Sequence, residues 1–190
     1  MRLFLGLLPP WSVRDELVRA LEPHREEWPR LRWLNPVGWH LTLSFLGEVP
    51  DRVLPGLETR LARATSRHAS MTLSLAGAGA FPSARRARIF LTGVRGGGPR
   101  LLRLADSLGA GARRAGAVQT DLRRLRPHLS LARSRTDVDV RPLVEAFEPF
   151  AGTEWEADTV HLVRSTLGAE VRYETIAEWH LAARAPRGQS

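Results

Sequence analysis

No cysteine occurs in this chain of 190 residues, and no lysine. The first absence excludes disulfides, thiolate nucleophiles and cysteine-held zinc or iron–sulfur centres. The second makes all 28 basic residues arginine and removes any Gly-Lys-Ser/Thr phosphate loop, so Gly96-Gly97-Gly98 reads as a flexible linker. Long apolar runs are missing too. The N-terminal one, Leu3 to Leu8, breaks at Pro9-Pro10, too short for a secretory signal core or a membrane span. It reads as a buried first strand, and a cytoplasmic protein with no membrane partner is expected.

What is present fits a globular fold. With 43% hydrophobic and 25% charged residues the chain can bury a sizeable core, as one large domain or two fused lobes. Twenty acidic residues leave a net charge of +8. Arginine's planar fork of donors suits phosphate oxygens, so the excess points to RNA or nucleotides, although a compositional preference for arginine gives the same charge. A monomer is the default expectation.

Strands are predicted at 2–8, 39–46, 71–76, 87–94, 128–133, 154–164 and 171–181. Helices are predicted from Ser12, as N-cap, to about Trp28 with Asp15 and Glu16 in the first turn; over 51–66; over 100–114; and from an Asp137 or Asp139 cap to about Phe150. Residues 1–182 read as a single bilobal domain and 183–190 as a frayed tail. Strands and helices mix without a βαβ rhythm, which indicates α+β.

Two stretches match. His40-Leu41-Thr42-Leu43 and His128-Leu129-Ser130-Leu131 both read His, Leu, hydroxyl, Leu, and an aspartate follows each histidine by eleven positions, Asp51 and Asp139. Each ensuing helix carries an early proline, Pro55 or Pro142. A duplicated strand–turn–helix unit is the simplest explanation. Because side chains alternate along a strand, His40 and Thr42 share one face while Leu41 and Leu43 enter the core; His128 and Ser130 do likewise. If the two copies face each other across a cleft, one neutral imidazole can take a proton from water while a protonated one donates to a leaving ribose oxygen. Hydroxyls and arginines would then hold the phosphate, and neither metal nor cofactor is needed.

His24, His68, His161 and His180 lack such partners and read as surface or packing residues. Most of the six tryptophans belong to packing; Trp39 and Phe81 are the candidates for contact with a base.

The paired motifs resemble those of the two-histidine phosphoesterases, in particular the RNA 2′,3′-cyclic phosphodiesterases long called 2′-5′ RNA ligases. The resemblance extends to Met1–Leu7, His40–Gly47, Phe81-Pro82 with the arginines that follow up to Val94, Pro127–Arg133, and Val163, Ser165, Leu167 and Tyr173. It implies two pseudo-symmetric lobes around a central cleft, each an antiparallel sheet with outer helices. It also implies metal-independent opening of RNA cyclic phosphate ends, or of cyclic nucleotides, to 2′-phosphates. On the same resemblance His40 is the proton donor, His128 the acceptor, and Thr42, Ser130 and Arg133 bind phosphate. Ser130 stands where threonine is commoner, and Ser44 where lysine is frequent. Cleavage or joining of 2′-5′ linkages at the same site, and a non-catalytic RNA-binding module, are the competing expectations.

Overall fold

Leucine alternation sets the first strand: Leu3, Leu5 and Leu7 are buried and pack in one core. The computed structural model describes residues 1–117, 125–168 and 171–184. Among these the strands are β1 (Arg2–Leu7), β2 (Arg32–Trp33), β3 (Leu41–Glu48), β4 (Met71–Phe81), β5 (Ala87–Gly96), β6 (His128–Val138), β7 (Trp155–Ala157), β8 (Thr159–Thr166) and β9 (Arg172–His180). The helices are α1 (Trp11–Glu27), α2 (Leu54–Thr65), α3 (Gly98–Ala115) and α4 (Arg141–Phe147). None is long and apolar enough to cross a membrane.

The strands run in the order β7-β4-β5-β6-β3-β1-β8-β9, every pair antiparallel, with β2 beside β6. Between β3 and β6 the register consists of one pair, Leu41 opposite Leu129. That narrow seam divides the fold into the two antiparallel lobes expected from the resemblance. The repeat is strand–helix–motif strand–helix–strand: β1-α1-β3-α2-β4, then β5-α3-β6-α4-β8. Each copy sends its last strand into the other lobe, since β4 pairs with β5 and β8 pairs with β1.

Helix faces follow from spacing. In α3, Leu101, Leu104, Ala105, Leu108 and Ala112 form one buried stripe, and Gly111 faces the backbone of α2 at Arg60. A fully buried leucine on such a stripe contributes about 1.5–3 kcal/mol.

Several expectations are corrected. α1 starts at Trp11, not after Ser12: Pro10 is the N-cap, and its carbonyl accepts from Val13 and Arg14, which places Asp15 and Glu16 beyond the first turn. Glu16 instead accepts from the backbone N–H and the hydroxyl of Thr153. Neither aspartate occupies the N-cap position of α4, which is Val140, but Asp139 accepts from the backbone N–H of Arg141, the first residue of the helix. Asp137 remains in β6 and pairs with Arg86 and Arg88, while Asp139 holds Arg141, and the helix ends at Phe147. The glycine run is no loose linker. Gly96, Gly97 and Gly98 all have positive φ in a tight strand-to-helix turn, and a Cβ on Gly96 would lie 2.3 Å from the Thr72 carbonyl oxygen. The strand expected over 154–164 divides at Asp158 into β7 and β8, which join opposite lobes. Of the expected tail, Arg184 donates to the Thr72 hydroxyl, and 185–190 lie outside the described residues.

Candidate active site

Both motifs meet at the seam. Leu41 and Leu129 are buried there, so the residues flanking them in each motif point to the opposite, open face. Extending the antiparallel register by one residue in each direction sets His40 opposite Ser130 and Thr42 opposite His128. Directly opposed residues have Cβ atoms about 4.5–5.5 Å apart. Each imidazole thus faces the register position of the other motif's hydroxyl residue. All four side chains are half-buried.

The two rings are held alike. His40 Nδ1 lies 2.6 Å from the carbonyl oxygen of Gly38, and His128 Nδ1 lies 2.7 Å from that of Arg126, in each case two residues earlier. A carbonyl can only accept, so Nδ1 carries the hydrogen and Nε2 is left for proton exchange. An aromatic ring stands edge-on to each imidazole: Tyr173 to His40 and Phe81 to His128, both with centroids 5.0 Å apart. Phe4 closes in on His40 at 4.4 Å. Gly38 leaves room for the Tyr173 ring, because a Cβ there would lie 2.8 Å from it and force it to shift.

His40 has a further support. Its carbonyl partner sits in a 3₁₀ turn, Pro36–Gly38, which Asn35 caps through the Val37 N–H. The buried guanidinium of Arg14 donates to Pro36 O and Val37 O, both at 3.0 Å, and to Pro9 O at 2.7 Å. Arg14 was not singled out in the sequence.

Burial pushes the His40 pKa down to about 4; the carbonyl of Gly38 opposes this, and the charges of Arg133, His128 and Arg14 reinforce it. The folded protein thus favours neutral His40, whereas the unfolded chain protonates it near pH 6.5. Stability is complete above pH 6.5 and falls as the pH drops towards 4, by on the order of 3 kcal/mol for this group. Burial lowers the pKa of His161 and of His68 as well, which adds acid sensitivity independent of the site. Urea midpoints at pH 7 and pH 4.5 should therefore separate less in His40→Asn than in wild type. An equal separation in the two proteins would refute the assignment to His40.

A bulge re-aims the residues after each motif. The register slips by one residue at Leu43 against β1 and at Leu131 against β5. Alternation then reverses, and Phe45 and Arg133, each five positions after its histidine, return to the open face. Phe45 is 43% exposed, Arg133 is exposed, and the charge of Arg133 reaches His40. Trp39 must be corrected: at 2% exposure it packs in the core with Leu41 and cannot touch a base. Phe81, joined to Pro82 by a cis peptide, lies against His128. His161 sits 3.5 Å from Glu178, His180 contacts the Thr159 hydroxyl, and neither belongs to the paired motifs. Among the described residues no three His, Asp or Glu side chains cluster to hold a metal ion.

Twin imidazoles on a pseudo-twofold seam, each anchored through Nδ1 and opposed by a hydroxyl, define a two-histidine phosphoesterase cleft. Residues 9–169 match the model of the 2′-5′ RNA ligase superfamily, and the chain belongs to that family. An RNA 2′,3′-cyclic phosphodiesterase of Thermus thermophilus is 34% identical over 188 residues, covering 94% of this chain and 88% of its own. One from Escherichia coli is 28% identical and covers 95% and 96%. Among solved structures, a Thermus thermophilus protein superposes with a TM-score of 0.82 at 29% identity, covering 97% of this chain and all of its own. Escherichia coli LigT complexed with 3′-AMP gives 0.78 at 27% identity, covering 95% and 97%.

Proposed function

We propose that this chain hydrolyses the 2′,3′-cyclic phosphate at the end of an RNA to a 2′-phosphate, without a metal. The observation that carries the reading is the matched anchoring of His40 and His128, which presents two Nε2 atoms to one cleft. Relatives bearing the name RNA 2′,3′-cyclic phosphodiesterase, the Thermus protein among them, support the choice of substrate.

In this mechanism His128 Nε2 takes a proton from a water attacking phosphorus. The bond from phosphorus to the 3′-oxygen breaks, and His40 Nε2 delivers a proton to that oxygen. Thr42 and Ser130 donate to the non-bridging oxygens, and Arg133 offsets the charge growing on them. To donate, His40 must be protonated although the free site disfavours that state; the anionic phosphate bound between the imidazoles supplies the compensating charge. Binding and chemistry are thereby coupled. Both lobes contribute a histidine, so residues 1–182 act as one bilobal unit.

The test is phosphorus NMR of a short RNA carrying a cyclic phosphate end, incubated with the protein in EDTA. A 2′-phosphate signal is expected. Absence of product from about pH 5 to pH 9, where an imidazole pair can operate, defeats the reading.

A further inference from the structure

The lobe that carries His128 presents two arginines side by side with no counter-charge among the described residues. Arg32 on β2 lies directly opposite Arg133 on β6, and both are exposed. Like charges set opposite one another across strands are destabilising unless an anion lies between them. The acidic groups at and just past the end of β6 are already engaged, Asp137 by Arg86 and Arg88 and Asp139 by Arg141. Neither Arg32 nor Arg133 has a carboxylate partner among the described residues.

Their position follows from the sheet. β6 pairs with β3 only at Leu129; beyond it β2 takes the place beside β6, and Leu34 N–H donates to Leu131 O at 2.9 Å. The bulge at Leu131 brings Arg133, and Arg32 with it, to the open face that holds Ser130. A single cross-strand row then reads Arg32, Arg133, Ile89, Phe81. It lies three residues from Ser130, about 7–10 Å along the strand. Arginine side chains span much of that distance.

We propose that Arg32 forms a second anion subsite that takes the 5′-phosphate of the terminal nucleotide, while Arg133 beside it serves the cyclic phosphate. The inference rests on the cyclic phosphodiesterase reading. On a chain end, one phosphate bridges the 2′ and 3′ oxygens of the last ribose and the next is carried on its 5′ oxygen. The Arg32 guanidinium beside the reaction site can hold that second phosphate by charge-assisted, bidentate hydrogen bonds. Cyclic ends carried on a chain, or bearing a 5′-phosphate, become the preferred substrates over 5′-hydroxyl nucleoside cyclic phosphates.

The experiment compares kcat/KM for adenosine 2′,3′-cyclic phosphate with and without a 5′-phosphate. Wild type should favour the 5′-phosphorylated form by about tenfold or more, less at high salt. In Arg32→Ala the ratio should fall towards one, and Arg32→Gln, which keeps most of the stem without the charge, should behave alike if the alanine variant does not fold. A wild-type ratio near one, or a ratio that survives in the variants, overturns the subsite. Calorimetry with adenosine 3′,5′-bisphosphate and adenosine 3′-monophosphate separates this from failure of the catalytic reading. If no cyclic phosphate is turned over, but the bisphosphate binds about tenfold tighter and Arg32→Ala removes the difference, the subsite stands and the hydrolase does not. Equal binding of the two nucleotides rejects the subsite.

Discussion

Replacing either His40 or His128 with asparagine should lower kcat on a cyclic phosphate end by roughly 10²–10⁴-fold, the usual contribution of one general acid or base. Asparagine is the informative substitute. Its side-chain amide can still donate to Gly38 O or Arg126 O, so the anchor survives while the exchangeable Nε2 is lost. KM should move far less than kcat. The two variants should differ in pH profile, His40→Asn losing the alkaline limb and His128→Asn the acidic one. In wild type, the alkaline limb of kcat should lie at higher pH than that of kcat/KM, because bound phosphate raises the pKa of an imidazole that burial holds at about 4 in the free site. More than a tenth of wild-type kcat in either variant would exclude the two-histidine mechanism.

Arg14→Met should cost about 2–4 kcal/mol of folding stability, a large part of the 5–15 kcal/mol typical of a whole domain. Methionine fills the stem's volume but leaves the carbonyls of Pro9, Pro36 and Val37 without their donor. Unlike most arginines here, Arg14 is buried, and no carboxylate holds it among the described residues. Activity should fall too, by more than tenfold, because the Pro36–Gly38 turn that presents the His40 acceptor loses its clamp. Arg14→Lys should recover only part of either loss, since one ammonium cannot reproduce the planar fork. Urea unfolding at pH 7 is the direct measurement. A loss below 1 kcal/mol would mean the turn holds itself.

The pairing of His40 with His128 could be read from sequence because its signal is local. A histidine two positions from a hydroxyl, between leucines, specifies a face, and the second copy with its matched aspartate and proline specifies a relationship between two places. What lay beyond reach depended on register. Strict alternation assigns Phe45 and Arg133 to the leucine face, and only the one-residue bulges at Leu43 and Leu131 reverse that. The same alternation, applied one residue before His40, assigns Trp39 to the core with Leu41, so its proposed base contact contradicted a signal already present. Arg14 had a signal as well. It shares a buried helical stripe with Leu17 and Leu21, and an arginine on such a stripe needs a structural reason. Nothing local marks Arg32, because its meaning comes from the residue across the strand. The division at Asp158 was equally silent, since two strands destined for opposite lobes follow one another with a single residue between them.

The exchange of final strands between the two copies has a consequence for synthesis. β1 lies between β3 and β8, and Leu3 pairs with Arg164. On a ribosome adding 5–20 residues per second, roughly 8–30 s separate β1 from β8. Throughout that interval the nascent chain exposes an unpaired apolar strand edge, a template for wrong partners. The first copy cannot finish its own lobe while it waits, and the second cannot finish its lobe without β4 from the first. Neither half is a folding intermediate that can be stored. The cleft with both histidines is assembled late, from a nearly complete polypeptide, and truncated products carry no partial activity.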